Sequence, residues 1–73
     1  MKRKYNYNKL KGRIVEIYGT QKAFSNAVGL SRQAVSNKLN NIVNFSQDEI
    51  MKSTEILNIP TSQISEYFFS EQA

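Results

Sequence analysis

The sequence predicts an all-α fold, a compact bundle of about five helices in one small domain. Three observations predict it. Apolar residues recur at helical spacings of three and four along most of the 73 residues. Cap and stop residues bracket each of these segments. The chain is long enough for a single core and no second domain.

The first helix reads from Asn6 to Tyr18, with Leu10, Ile14, Ile17 and Tyr18 on one face. Asn6 is placed to cap it, and Tyr5 and Leu10 are placed as a hydrophobic staple across the cap. Gly12 costs about 1 kcal/mol against alanine inside a helix, which suggests close packing there. Gly19 marks the stop.

Thr20 caps a second helix, Gln21 to Val28, whose inner face is Phe24, Ala27 and Val28. Gly29 supplies the left-handed backbone that ends it. Leu30 is an apolar turn residue. Ser31 caps a third helix, Arg32 to Asn40, with Val35 and Leu39 inward.

Residues 40–44 read as a loop anchored by Ile42 and Val43. Ser46-Gln47-Asp48-Glu49 is a capping box, and Phe45 and Ile50 are its staple. Asp48 and Glu49 also suit the positive end of the helix dipole. Ile50, Thr54 and Leu57 form the core face of this fourth helix, with Met51 alongside. Pro60 disfavours helix at the residue before it and ends the segment. A fifth, short helix starts at Thr61 or Ser62 and runs to Glu66 with Ile64 inward. Tyr67-Phe68-Phe69 either extends it or forms a short extended segment.

Charge divides the chain. Residues 1–41 hold nine cations and one anion, net +8; residues 42–73 hold one cation and five anions, net −4. Such a split makes a directional field that attracts a polyanion on one side. There is no His and no Cys, which removes the commonest general base, thiol nucleophiles and the usual zinc ligands. The six carboxylates are scattered, and no Gly-rich phosphate loop is present. An enzyme, a metal site, a cofactor and a small-molecule substrate are therefore not expected. The longest apolar run is Tyr67-Phe68-Phe69, against about 20 residues for a membrane span. The basic start, Met1-Lys2-Arg3-Lys4, lacks the apolar stretch of a signal peptide, so an intracellular protein is expected.

Two helices of about eight residues joined by Gly29-Leu30-Ser31 read as a helix-turn-helix. The outer face of the second is rich in amides and hydroxyls. Such groups suit the major groove, where an amide pairs with adenine and arginine with guanine.

Residues 20–40, from Thr20 through Gly29-Leu30-Ser31 to Asn40, resemble the helix-turn-helix of the phage Cro and repressor (Xre-like) family. The resemblance spans residues 7–66 with the flanking helices and is greatest to small Cro proteins. The tail Ile64-Ser65-Glu66-Tyr67-Phe68-Phe69 is similar to tails of small phage regulators from Gram-positive hosts.

The resemblance implies a lambda-repressor-like DNA-binding domain over residues 6–69, after a flexible basic arm at 1–5 and before a tail at 70–73. It implies base reading by Arg32, Gln33, Ser36 and Asn37. Phosphate contacts fall to Gln21, Lys22, Ser31, Lys38, Asn40 and Asn41, with Lys2, Arg3 and Lys4 of the arm as loose additions. Two departures stand out: Ser25 replaces a usual alanine, and Lys38 replaces a usual apolar residue. Tyr67, Phe68 and Phe69 are core aromatics or, in part, a dimer contact.

The function so implied is a Cro-like transcriptional repressor in the host cytoplasm, a homodimer on palindromic double-stranded operator DNA. Its half-sites would lie about 34 Å apart. The rival is a protein-interaction module of the same fold, an antirepressor or antitoxin-like binder whose partner is a protein.

Overall fold

Three of the five helices start on a hydroxyl. Thr20 Oγ1 accepts from Ala23 N–H at 3.1 Å, Ser31 Oγ from Ala34 N–H at 3.0 Å and Ser46 Oγ from Glu49 N–H at 3.2 Å. Each bond satisfies a donor that the first turn of a helix leaves open. The computed structural model describes residues 4–71. The helices are α1 (Asn8–Tyr18), α2 (Gln21–Val28), α3 (Arg32–Leu39), α4 (Gln47–Ile56) and α5 (Ile64–Phe68), the last entered through a 3₁₀ turn at Thr61–Gln63. The all-α bundle expected from the sequence is the fold observed.

The start of α1 differs from expectation. Tyr7, not Asn6, occupies the cap position, and no side chain caps it. Asn6 Oδ1 instead accepts from Asn8 N–H at 2.9 Å. Tyr7 is drawn inward, 5% exposed, by an edge-on contact with Phe45 at 5.5 Å between ring centres. Phe45 in turn meets Phe68 edge-on at 5.4 Å. Burial also pushes the Tyr7 phenol pKa up, with a smaller contribution from Tyr5.

Two helices close with asparagine in the left-handed region. Asn41 (φ 62) follows α3 and Asn58 (φ 52) follows α4. Beyond them, Ile42 N–H returns to Asn37 O at 2.8 Å and Ile59 N–H to Thr54 O at 3.0 Å. These are Schellman closures, which asparagine tolerates better than most residues. Gly29 (φ 80) ends α2, where Leu30 N–H returns to Ser25 O at 2.9 Å.

The core collects Leu10 and Ile14 from α1, Phe24 and Val28 from α2, Val35 and Leu39 from α3, Leu57 and Ile59 after α4, and Tyr67 and Phe68 from α5. Some expected anchors are absent from it. Ile17, Ile42, Val43 and Met51 are all exposed. Ile17 yields to Tyr18, the half-buried neighbour that packs on Phe24. Ile42 and Val43 are carried outward by the left-handed step at Asn41. Close packing at Gly12 is also absent, because an added Cβ would meet nothing within 4 Å.

The helix of residues 64–68 includes Tyr67 and Phe68, and Phe69 is its C-cap. The chain ends then meet. Tyr5 and Glu71 form an antiparallel bridge, and Asn6 N–H donates to Ser70 O at 2.6 Å. These two contacts tie the entry to α1 to the segment after α5.

Candidate functional site

α2 and α3 meet through the turn Gly29-Leu30-Ser31, and Ser31 caps α3 so that its first two side chains stand clear. Arg32 and Gln33 are both exposed. They line one shallow polar cleft with Gln21 and Ser36. Gln21 starts α2, so the cleft joins the beginnings of both helices. Lys22 is exposed one residue further along α2.

Hydrogen bonds run along α3. Gln33 Nε2 donates to Asn37 Oδ1 at 2.9 Å, and Asn40 Nδ2 donates to Ser36 Oγ at 3.3 Å. Four of the amide and hydroxyl residues are thus held in fixed directions by i, i+4 partners. Ser36 and Asn37 are half-buried, while Asn40 is exposed as the C-cap. The arrangement offers directional donors and acceptors with one guanidinium at the leading end.

Three of the sequence candidates are occupied elsewhere. Lys38 Nζ lies 3.1 Å from Glu49 Oε1 and 3.3 Å from Asn44 O. The pair is mostly shielded, the side chains being 12% and 22% exposed. It ties the last turn of α3 to the first turn of α4. Burial alone would push the Glu49 carboxyl up, but hydrogen bonds from Ser46 and Lys38 outweigh it and hold the pKa below its ordinary value. Asn41 is engaged with Tyr5: its Oδ1 accepts from Tyr5 N–H at 2.9 Å and its Nδ2 donates to Tyr5 O at 3.0 Å. The hydroxyl of Ser31 is spent on the cap.

The charge split is partly zipped together by folding. Lys9 pairs with Glu66 at 2.7 Å and sits 4.8 Å from the Tyr67 ring centre. The Glu66 hydrogen bond raises the Lys9 pKa. Arg13 pairs with Glu16, and its Nε donates to Leu57 O at 2.9 Å, at the negative end of α4. Of Lys9, Arg13 and Lys38, only Lys38 was among the phosphate contacts expected from the sequence. Lys4, Lys11, Lys22 and Arg32 form no ion pair with a described residue. Lys2 and Arg3 lie outside the described residues.

Of the aromatic triad at the C-terminal end, Tyr67 and Phe68 are core side chains, and Phe69 is 48% exposed with its ring edge-on to Tyr5. A dimer contact from this triad has only Phe69 to present. Lys11 was not singled out in the sequence, because its position within α1 carries no motif. Among the described residues, no group of acidic side chains could hold a metal ion. No helix of the described residues is long and apolar enough to cross a membrane.

The fold is that of a small all-helical regulator. The chain belongs to the family described as "Protein of unknown function (DUF739)", which matches residues 3–71. It is similar to the modulator of repression (MOR) of the temperate bacteriophage TP901-1 from Lactococcus lactis, known from a solution structure. The two chains are 45% identical, the match covers 89% of this chain and 88% of that one, and the TM-score is 0.79. Comparison with curated proteins finds no match. Neither match names an enzymatic activity.

Proposed function

We propose that this chain is a phage regulator of repression that acts through the exposed face of α2 and α3. Double-stranded operator DNA is the target this face fits best. The supporting observation is the common cleft of Gln21, Arg32, Gln33 and Ser36 at the leading end of α3. Its donors are set by a capped helix start and by hydrogen bonds along the helix. In this reading α3 enters the major groove of a Cro-type complex, and Arg32 and Gln33 meet base edges. Gln21 and Lys22 reach the adjoining phosphates. A homodimer on a palindromic site follows from the resemblance to the Cro and repressor family.

A second reading has its own support. Three cations of the basic half are neutralised within the fold, which reduces the electrostatic term that nonspecific DNA binding requires. Ile42 and Val43 stand exposed directly after α3, and the related phage protein is a modulator of repression. In this reading the same face binds a repressor protein of the phage and changes its hold on DNA.

A gel shift on duplex from the chain's own upstream region, with excess nonspecific competitor, separates the two. A retained complex supports the DNA reading. No retained complex, together with co-elution of the chain and the phage's repressor, supports the protein reading and overturns the first.

A further inference from the structure

We propose that the aromatic pocket between the entry to α1 and the end of α5 is a docking socket for a protein segment that carries one apolar anchor side chain flanked by carboxylates. The site goes beyond both readings above, because none of its lining residues belongs to α2 or α3. Its floor is Tyr7 and Phe68, which are core side chains, and its walls are Tyr5, Phe45 and Phe69.

The size of the pocket sets the anchor. It holds about 150 Å³. An apolar cavity of roughly that volume takes one benzene-sized group, which in a protein is the side chain of phenylalanine or leucine. The rings around it already meet edge-on, Tyr5 with Phe69 at 5.9 Å, Tyr7 with Phe45 at 5.5 Å and Phe45 with Phe68 at 5.4 Å between centres. A further ring extends that series in the same preferred geometry. Anchors seated in a pocket inside a rim that excludes water carry most of the energy of protein interfaces. Such a rim is present here. Phe69 is exposed on one side, and Ile42 and Val43 are exposed between Asn41, which holds Tyr5, and Asn44, which lines the pocket.

Charge at the border sets what flanks the anchor. Tyr5 and Tyr7 are shared with the neighbouring polar groove, which Lys4 and Lys11 also line. No Asp or Glu lines either one. An apolar socket bordered by ammonium groups complements an apolar side chain with acidic neighbours. The backbone limits how the segment is held. Both backbone groups of Tyr5 are bonded to Asn41, so a partner cannot add there as a strand, and side chains must hold it. The rings of Phe45, Phe68 and Phe69 offer a phosphate no hydrogen-bond donor, which sets a nucleic-acid strand aside.

Amide NMR of the full chain, titrated with short end-capped peptides, tests the socket. The first peptide has phenylalanine between two pairs of glutamates. The second has alanine in place of the phenylalanine, and the third has lysines in place of the glutamates. The first should shift the amides of Val43, Phe45, Phe68 and Phe69 saturably, and the second should not. The third should bind more weakly by about fivefold or more. Phe69→Ala should weaken the first peptide by about fivefold or more, and the Lys4→Glu/Lys11→Glu double variant should weaken it as the third peptide is weakened. Val15→Ala removes a similarly exposed apolar side chain outside both grooves and should leave binding unchanged. Circular dichroism of each variant checks that the helices persist. No pocket shift with the first peptide overturns the socket and leaves both readings of the α2 and α3 face standing. Equal binding of the first and third peptides overturns the acidic assignment. The same shifts on raising the protein concentration without peptide, with sedimentation as a dimer, overturn it in favour of a second copy. The same shifts with duplex DNA overturn it in favour of nucleic acid.

Discussion

The carboxamide of Asn41 holds both backbone groups of Tyr5, accepting from its N–H at 2.9 Å and donating to its carbonyl at 3.0 Å. A side chain thus acts as a strand partner across 36 residues of sequence. Tyr5 also bridges to Glu71, so the turn after α3, the entry to α1 and the C-terminal segment share one junction.

Asn41 carries two roles that substitution separates. Asn41→Gly loses two hydrogen bonds but keeps the left-handed backbone, at a cost of about 1–2 kcal/mol. Asn41→Ala adds about 1–2 kcal/mol for a Cβ in that region. Thermal unfolding should rank wild type, Gly and Ala in descending order, each kcal/mol being worth about 4–8 °C. Equal midpoints for Gly and Ala would remove backbone strain from the account.

The Lys38–Glu49 pair predicts a pH dependence. The Glu49 pKa is lowered in the folded chain, so the unfolded chain binds the proton more readily. Its stabilisation is complete above the ordinary glutamate range and is lost as pH falls through the lowered value. Chemical denaturation from neutral to acid pH should show this loss in the wild type and a smaller one in Glu49→Gln. Parallel curves for the two proteins would contradict the assignment.

Phe68 and Phe69 should behave oppositely. Phe68 is 1% exposed, and Phe68→Ala should cost about 3–5 kcal/mol. A chain of 73 residues has only about 4–11 kcal/mol in total, so the variant should lose a large share of its stability. Phe69→Ala should cost far less, and sedimentation equilibrium then reads its part in self-association. A fully stable Phe68→Ala protein would refute the core placement.

Gly12 offers a gain. Nothing lies within 4 Å of an added Cβ, and the residue is in mid-helix. Gly12→Ala should raise stability by about 0.5–1 kcal/mol, seen as a higher thermal midpoint. A lower midpoint would mean that the α1 surface is covered by something else.

What the sequence disclosed followed how local each determinant is. The start of α4 was fully legible, because Ser46 and Glu49 hold each other within one turn. The caps at Thr20 and Ser31 and the stop at Gly29 were legible for the same reason. Tyr7 was not, because its burial depends on Phe45 and Phe68, which only the fold brings near. Lys38 looked like a misplaced polar residue until Glu49, eleven positions later, supplied its partner. Asn41 looked like a loop amide open to phosphate, and its engagement depends on Tyr5 at the other end of the domain. The exposed cleft of Arg32 and Gln33 was readable, since it needs only the phase of one capped helix.

The most direct test of the DNA reading is selection of bound duplexes from a random pool, repeated with Gln33→Ala. The account predicts a two-fold symmetric sequence with half-site centres about 34 Å apart. Gln33→Ala should then cost about 1–3 kcal/mol on that sequence and relax preference at one base pair. A pool that gains no sequence, with the variant and the wild type binding every duplex alike, would contradict it.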